Sequence, residues 1–219
     1  MDETRINNKL PIAREGFPFL LSGCALTCLF SLLGFLSLSV VAGVFSLFTA
    51  YFFRDPERNN TFPNKAVLTP ADGRIIKIQN IEDPNNLLGE PAVKISIFMS
   101  IFNVHVNRIP IEGTVKNIDY HPGKFFSANL DKASEQNESN RITLQTPEAR
   151  KIVFVQIAGL IARRIVCWVK DGDHMRTGQR FGLIRFGSRL EVYLPHDTQI
   201  TARLGQKVSA GVTVIGYLS

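Results

Sequence analysis

Hydrophobic and polar positions divide the chain into two parts of different character. The first part ends in an interval without any charged residue, from Gly16 to Phe53, which is rich in leucine, phenylalanine, valine and small residues. A secretory signal has an apolar stretch of about 7 to 15 residues, and one membrane helix needs about 20. This interval is too long for either of them. It fits two short helices that turn near Gly34, or one helix followed by an interfacial segment.

We favour the helical hairpin because cations flank the interval on both sides, with Arg14 before it and Arg54 after it. The positive-inside rule then places both ends of the hairpin on the cytoplasmic side of a membrane. The alternative is a buried helix pair in a soluble core. We therefore predict an N-terminal membrane-anchoring segment over residues 1–53.

The second part, residues 54–219, alternates short apolar runs with turn residues, as β-strands and their connections do. Glycines punctuate β-branched pairs in the final stretch GQKVSAGVTVIGYL, as in small barrel-like sandwiches. The pattern predicts a mainly β (α+β) fold, with a barrel-sandwich-like β domain behind the N-terminal membrane helical hairpin. The strand-like runs are AVLTPADGRIIKI, AVKISIFMSIFNVHV, GTVKNIDY, RITLQT, KIVFVQIAG, ARRIVCWVK and the run that ends in LEVYLP.

The stretch RFGSRLEVYLP interrupts the last of these patterns with a glycine and a serine. From Leu183 to Leu194 the even positions are mostly apolar and the odd positions mostly polar, which is the pattern of one half-buried strand. Ser188 falls on the apolar parity, and Gly187 beside it permits unusual backbone angles. A hydroxyl that faces a core beside a flexible carbonyl indicates either a glycine bulge with a hydrogen-bonded serine or a chemical role.

Charge and composition narrow the classes of partner. The chain has 219 residues and a net charge of +6, all of which lies after Phe53 because the preceding charges cancel. No RNA-binding motif or helix-turn-helix pattern accompanies this basic part, so nucleic acid is not a predicted partner. A basic domain behind a membrane anchor favours anionic lipid headgroups, and a solvated face without a partner is the alternative. Three cysteines and four dispersed histidines show no disulfide framework or metal-ligand spacing, so no metal site is predicted.

Five sequence blocks follow one another from about Gly16 to the C-terminus. They are the membrane segment ending in YFFRDPER, then TPADGRI, FMSIFNVHVNR, YHPGKFFSANLDKASEQNE and GLIRFGSRLEVYLP. In this order they resemble the short bacterial form of the phosphatidylserine decarboxylase family. The resemblance implies a lyase of phospholipid biosynthesis in the bacterial inner membrane, with its catalytic domain, residues 54–219, on the cytoplasmic side.

The resemblance also implies a zymogen that cuts its own chain without hydrolysis. The matching scissile bond joins Gly187 to Ser188, so the β chain is 1–187 and the α chain is 188–219, each the partner of the other. Ser188 becomes a pyruvoyl group, the implied covalent cofactor, which forms a Schiff base with the amino group of phosphatidylserine in the membrane. Loss of carbon dioxide then yields phosphatidylethanolamine. Whether the enzyme also forms a homo-oligomer is left open.

Residue chemistry agrees with this implied self-cleavage. Attack of the Ser188 hydroxyl on the Gly187 carbonyl needs a base for the proton and donors for the oxyanion. The resemblance implies an Asp-His-Ser arrangement, completed by Asp72 in TPADG and His105 in NVHVN. Taken alone, Asp72 fits turn chemistry and His105 fits a structural histidine. Long-form members carry a second histidine where this chain has Arg108, so whether His105 serves self-cleavage, decarboxylation or both, and whether Arg108 takes over one electrostatic role, stays open.

Two further points concern the substrate and the alternatives. Lys124, Lys132 and Arg189 are candidates to hold the substrate phosphate by their charge alone.

A non-enzymatic membrane-anchored barrel-sandwich module, lipoyl-like or adaptor-like, is the principal alternative, although the DKA at Asp131–Ala133 lies in a polar segment and not at a hairpin tip. A pyruvoyl decarboxylase for a soluble amino acid is a second alternative, against which the membrane segment argues.

Overall fold

The computed structural model describes residues 2–58, 61–128, 136–160, 164–185 and 187–219. The chain forms two compact units. The first comprises Met1–Asn7 together with Arg58–Ser219, and the second comprises Asn8–Glu57. We describe each unit by itself.

The smaller unit is a helical hairpin. A 3-10 turn at Arg14–Gly16 leads into helix α2 at Phe17–Leu32, and helix α3 follows at Leu36–Phe52; a short helix α1 at Glu3–Ile6 belongs to the larger unit. The two long helices are joined at Gly34, whose φ of +80° a glycine adopts without strain. The prediction of two helices that turn near Gly34 is therefore confirmed.

Small residues allow α2 and α3 to pack closely. A Cβ built on Gly23 would lie 2.3 Å from Oγ of Ser46, so only a glycine permits this approach. The Ser39 hydroxyl donates to the backbone oxygen of Thr27 at 3.0 Å, which ties the helices together. Within the described residues, one helical stretch, Arg14–Leu32, is long and apolar enough to cross a membrane. Its outer leucines are exposed, Leu21 at 67% and Leu32 at 86%.

The larger unit is built from strands, which confirms the mainly β prediction. An eight-stranded sheet has the order β13-β2-β3-β11-β7-β6-β5-β9, and two three-stranded sheets have the orders β4-β10-β8 and β1-β14-β12. The pairings within these sheets are antiparallel. The strands are β1 (Ala66–Leu68), β2 (Gly73–Ile81), β3 (Ala92–Met99), β4 (Val106–Arg108), β5 (Gly113–His121), β6 (Ser139–Gln145), β7 (Lys151–Ala158), β8 (Ile165–Cys167), β9 (His174–Met175), β10 (Arg180–Ile184), β11 (Ser188–Pro195), β12 (Gln199–Ile200), β13 (Lys207–Val208) and β14 (Val214–Tyr217).

The prediction of one continuous strand from Leu183 to Leu194 is wrong. The chain leaves the small sheet at the end of β10, at Ile184, and enters the large sheet at the start of β11, at Ser188. Gly187, with φ of +63°, lies at this crossing. The segment that joins β3 to β4 also crosses between the two sheets, because β3 pairs with β11 in the large sheet and β4 pairs with β10 in the small one. Phe186, which belongs to the apolar parity, lies outside the described residues.

The prediction that this strand is half-buried is also wrong, because β11 is buried on both faces. One face carries Leu190 and Val192, and the other carries Arg189 and Glu191, which are 1% and 2% exposed. The guanidinium of Arg189 lies 2.8 Å from the Glu191 carboxylate and donates to the Ser96 hydroxyl at 2.9 Å. The charges satisfy one another, so a polar parity marks an internal ion pair here and not a solvated face.

Candidate active site

One end of the large sheet gathers most of the predicted site residues. Ser188 at the start of β11 pairs with Met99 at the end of β3 on one side and with Ala158 at the end of β7 on the other. Strand β2 begins at the same end with Gly73, directly after Asp72. Neighbouring strands lie about 4.8 Å apart, so β2, which Asp72 directly precedes, and β11, which begins at Ser188, are separated by about 10 Å across the sheet.

Ser188 is completely buried, and its hydroxyl donates to the Met99 sulfur at 3.3 Å. A thioether is a weak acceptor, so this contact orients the hydroxyl without binding it strongly. The adjacent Gly187 has a left-handed backbone, which costs an L-residue about 1–2 kcal/mol. The start of β11 therefore combines a buried hydroxyl that has only a weak acceptor with a left-handed glycine directly before it.

The carbonyl of Gly187 lies against Gly159, which follows β7. A Cβ built on Gly159 would lie 2.3 Å from the Gly187 oxygen and 3.3 Å from Cβ of Ala128. Only the absence of a side chain at Gly159 lets the carbonyl occupy this place. Sequence reasoning missed Gly159, although the glycine that ends the buried run KIVFVQIAG is the signal that could have identified it.

Asn137 holds the segment around Phe126, which leads to Ala128 beside Gly159. Its side-chain oxygen accepts from the Phe126 backbone nitrogen at 2.8 Å, and its amide nitrogen donates to the backbone oxygens of Phe126 and Ala158 at 2.8 and 2.7 Å. The side chain is 3% exposed. Asn137 thereby joins the chain around Phe126 to the end of β7, next to Ser188. Nothing in the local pattern distinguishes Asn137 from the turn residues around it.

His105 lies in the segment that joins β3 to β4 and crosses between the two sheets. It directly precedes β4, and its backbone oxygen accepts from the nitrogen of Ile184, the last residue of β10, at 3.4 Å. The imidazole is 2% exposed, and Nδ1 lies 2.9 Å from the backbone oxygen of Asn103. Because a carbonyl oxygen only accepts, Nδ1 carries the proton in the neutral ring and Nε2 is the basic nitrogen.

Asp72 is 8% exposed, and its carboxylate is held by Arg58 and by the backbone of Ala210. The two guanidinium nitrogens of Arg58 contact the two carboxylate oxygens at 2.5 and 3.0 Å, and the Ala210 nitrogen donates at 2.7 Å. Such a bidentate pair fixes the carboxylate in a single orientation. Among the described contacts, these are the partners of Asp72, and its pairing with His105 stays a prediction.

The cations predicted near the site have different surroundings. Arg189 is enclosed in its ion pair with Glu191, so the structure places its charge in the interior of the large sheet. Lys124 is exposed, with its ammonium 5.9 Å from the Phe126 ring centroid, and Lys132 lies outside the described residues. Arg108 is 4% exposed and donates to the backbone oxygen of Gly178 at 3.0 Å. Within the described ranges, no group of three acidic, histidine or cysteine side chains could hold a metal.

The site as a whole defines a class of protein. A completely buried serine follows a positive-φ glycine at a crossing between two sheets, and a histidine lies at the neighbouring crossing. A nucleophile of this kind can attack the carbonyl that precedes it, because the glycine permits the bent backbone that the attack needs. The fold and the site therefore define a β-rich protein in which a buried serine, a candidate nucleophile, directly follows a left-handed glycine.

Comparison with known proteins identifies the family. A family model described as phosphatidylserine decarboxylase matches residues 45–216. A phosphatidylserine decarboxylase proenzyme of Syntrophus aciditrophicus is 50% identical over 208 residues, which cover 94% of this chain and 96% of that protein. Proteins with the same name from Desulfotalea psychrophila and Pelobacter propionicus are each 48% identical and cover 96% and 97% of this chain. The chain belongs to the phosphatidylserine decarboxylase family, as its sequence blocks predicted.

Family membership decides between the alternatives drawn from the sequence. The chain is an enzyme of the decarboxylase class, and the non-enzymatic barrel-sandwich module is not favoured. The curated relatives are also matched over almost their whole length, 98% and 99% for the last two. The β domain with its Gly187–Ser188 bond and the N-terminal helical hairpin both lie within these matches.

Proposed function

We propose that this chain cuts its own Gly187–Ser188 bond and then converts phosphatidylserine to phosphatidylethanolamine. The observation that carries the proposal is the buried Ser188 hydroxyl behind a left-handed Gly187, in a member of the phosphatidylserine decarboxylase family. The relatives are named phosphatidylserine decarboxylase proenzymes, and the substrate is taken over from that name.

Self-cleavage begins with an acyl shift. Oγ of Ser188 attacks the carbonyl carbon of Gly187, its proton passes to a base, and the peptide C–N bond breaks to leave an ester and a free amine. His105 is the proposed base, through the Nε2 that its contact with Asn103 leaves basic. The Gly159 position keeps space beside the carbonyl oxygen, which becomes the oxyanion.

The ester then breaks by elimination. The α-proton of Ser188 leaves, the bond between its Cβ and Oγ breaks, and Gly187 departs as a carboxylate. The dehydroalanine that remains tautomerises and takes up water, releasing ammonia and leaving a pyruvoyl group at the start of residues 188–219. No external cofactor is needed, because each atom of the group derives from Ser188 or water.

The surroundings of Ser188 fit a pyruvoyl group. The group is small and planar, and the site it would occupy is bounded by Met99 and Ala158 on the paired strands and by the space at Gly159 that a Cβ would fill. When formed, a pyruvoyl group supplies an electron-withdrawing carbonyl that condenses with an amine and stabilises the charge left by carbon dioxide. The buried strand ends around Ser188 exclude water from the reacting atoms, and His105 lies at the neighbouring crossing, where it is the proposed group to hold or move a proton.

The proposed products stay together because residues 188–219 are woven into the sheets. Strand β11 lies between β3 and β7, β13 pairs with β2, and β14 pairs with β1. Each of these partners belongs to residues 1–187. Separation of the two chains would expose the core on both sides of β11, so we expect a stable complex of α and β subunits.

The helical hairpin supports a membrane location. Its leucines are exposed along α2 and α3, including Leu36 and Leu47 at 73% each, and such apolar faces fit a lipid environment. Arg14 precedes the hairpin and Arg54 follows it, so both cations lie at its open end. The positive-inside rule then favours a cytoplasmic location for this end. We therefore propose that the hairpin within residues 1–53 is the anchor, that residues 54–219 carry the catalytic domain, and that this domain lies at the cytoplasmic face of the bacterial inner membrane.

The mass of the denatured protein tests the proposal. We expect two chains that meet at Gly187, with the smaller one lighter than a peptide that begins with serine by one ammonia. The Ser188→Ala variant should stay a single chain of 24.5 kDa and should not decarboxylate phosphatidylserine in vesicles. A single wild-type chain, or a Ser188→Ala variant that splits at the same bond, would contradict self-cleavage by Ser188.

A further inference from the structure

A row of buried amides ends at the Ser188 hydroxyl. The amide nitrogen of Asn140 on β6 donates to the side-chain oxygen of Gln156 on β7 at 3.0 Å, and the Gln156 nitrogen donates to the Asn107 oxygen on β4 at 2.8 Å. The Asn107 nitrogen then contacts the Met99 sulfur at 3.8 Å. This is the same sulfur atom that accepts from Ser188.

Burial makes this row expensive to disturb. Asn107, Gln156, Met99 and Ser188 are completely buried, and Asn140 is 2% exposed. A buried amide that loses its partner retains the full cost of desolvation, so each side chain in the row depends on the next one. The four groups before Ser188 come from strands β6, β7, β4 and β3, and the row thereby connects the large sheet with the small one.

The hydrogen-bond direction of the row is fixed by its donors. Because Gln156 donates to the Asn107 oxygen, the Asn107 nitrogen must point to the other side, towards the Met99 sulfur. A methionine side chain has three rotatable bonds and adapts its shape readily, so it needs an additional contact to hold one position. Asn107 supplies that contact, and the sulfur in turn orients the hydroxyl of Ser188.

We propose that Asn107 and Gln156 are positioning residues for self-cleavage, acting through Met99 on the Ser188 hydroxyl. The inference rests on the proposed attack of Ser188 on Gly187. The thioether orients the hydroxyl by a weak bond that is easily given up, so Oγ can turn towards the carbonyl while its lone pairs stay available. A stronger acceptor in the same place would hold the hydroxyl away from its target.

The Gln156→Glu variant tests this proposal by its pH dependence. In its neutral form the introduced carboxyl has one O–H to donate to Asn107 and one oxygen to accept from Asn140, so it reproduces the glutamine. In its ionised form it only accepts, and Asn107 must turn its nitrogen away from Met99. Burial raises the pKa of such a carboxyl above its usual range, so ionisation falls within reach of ordinary buffers.

We expect the cleavage rate of Gln156→Glu, divided by that of the wild type at the same pH, to be near one in acid and to fall about tenfold as pH rises. Division by the wild-type rate removes any pH dependence that the two proteins share. Burial raises the pKa of the Cys167 thiol on β8, which keeps this neighbour of Asn140 uncharged over the tested range. Other charged side chains on β7 and the adjoining strands are Arg108 on β4 and Arg180 on β10, and, on the opposite sheet face, Lys94, Arg141, Lys151, Arg189 and Glu191.

Two further variants keep the test decisive. Gln145→Glu introduces the same charge on β6 at a half-buried position opposite Lys151, and its rate ratio should not change with pH. Met99→Leu retains the volume of the side chain but removes the sulfur that accepts from Asn107 and Ser188, so we expect a modest loss of stability without unfolding. We expect it to fold and to cleave about tenfold more slowly, whereas a purely structural role of the row would leave its rate unchanged.

The measurement is a time course in which newly synthesised full-length chain disappears, with folding checked by thermal unfolding in a Ser188→Ala background. Wild-type rates for Met99→Leu would overturn the inference, and so would a folded Gln156→Glu whose rate ratio is constant with pH. If Gln156→Glu does not fold, Met99→Leu alone decides. Cleavage of Ser188→Ala would instead refute the proposed self-cleavage, so the two failures are distinguishable.

Discussion

The Gly159→Ala substitution is the most direct test of how the Gly187 carbonyl, at the proposed cleavage site, is placed. The added Cβ would lie 2.3 Å from the oxygen and 3.1 Å from the carbon of Gly187. Ordinary contacts of a Cβ begin at 3.4 Å, so the carbonyl must retreat by about 1 Å or the strand end must shift. The new methyl group cannot move towards Ala128 instead, because it would already lie 3.3 Å from Cβ of Ala128.

This displacement affects rate more than stability. Overpacking of this size costs about 1–3 kcal/mol in free energy of unfolding, which a domain with a large β core tolerates. A reacting atom that is misplaced by about 1 Å can lose about 100-fold in rate. We therefore expect Gly159→Ala to fold and to cut the Gly187–Ser188 bond about 100-fold more slowly than the wild type.

The assay follows conversion of the 24.5 kDa chain into two fragments by denaturing electrophoresis. Gly113→Ala is the matched control, since its Cβ would lie 2.5 Å from the Gln145 oxygen, in the β5–β6 pair away from Ser188. The control should lose similar stability and keep its cleavage rate. Equal rates for Gly159→Ala and wild type, or equal slowing by both substitutions, would refute the placement of the carbonyl by Gly159.

Further substitutions, at Gly187, in the Arg189–Glu191 pair and at Tyr193, give separate predictions. Gly187→Ala should slow cleavage about tenfold, because a left-handed backbone costs alanine about 1–2 kcal/mol although the nearest atom to its Cβ would be 3.9 Å away; a wild-type time course would count against a role for this backbone. Arg189→Ala should lower the free energy of unfolding in urea by about 3–5 kcal/mol, because Glu191 stays buried without its cation, whereas Arg189→Met together with Glu191→Leu should recover most of this loss. Burial, followed by the charge of Glu191, raises the pKa of Tyr193 above its ordinary 10.0, so stability is complete below pH 10 and falls above it as only the unfolded chain ionises. Tyr193→Phe should flatten this alkaline decline in thermal unfolding midpoints, and an unchanged slope would disprove the contribution of Tyr193.

Much of the fold could be predicted because it depends on local periodicity. The uncharged interval after Gly16 was too long for one helix, and a turn at Gly34 was the simplest division of it. The strand-like runs also correspond to strands, since alternation and turn residues are local properties. The Gly187–Ser188 bond stood out because it broke such a pattern, and the family blocks then gave it a chemical meaning.

The errors arose where the answer depends on what lies across a strand. Parity suggested that Arg189 and Glu191 face solvent, but the sheet face they occupy is covered, with Leu88 and Tyr193 packed in the same core cluster. A buried ion pair and a solvated pair have the same local spacing. The continuous pattern from Leu183 to Leu194 likewise concealed a change of sheet, because both strands keep the same parity on either side of Gly187.

The amide row was beyond sequence reasoning for a related reason. Asn107, Asn140 and Gln156 lie in three separate strands, and each alone resembles an ordinary polar position. Only the register that pairs Asn140 with Gln156, together with the packing of β4 against β7, aligns them. Sequence distance carries no information about such a row, since the register of each strand pair is set by the whole sheet.

The crossing between two sheets also bears on the proposed cut, because the chain can be divided there without disrupting either sheet. Strand β10 ends at Ile184 in the small sheet, and β11 begins at Ser188 in the large one, so each side of the cut belongs to a separate set of pairings. Breaking the bond at Gly187 therefore removes no rung from either ladder. A cut within β11 itself would leave two partial strands, each with fewer pairs to β3 and β7. The position that suits the chemistry of Ser188 is thus also the position at which the fold loses least when the chain is divided.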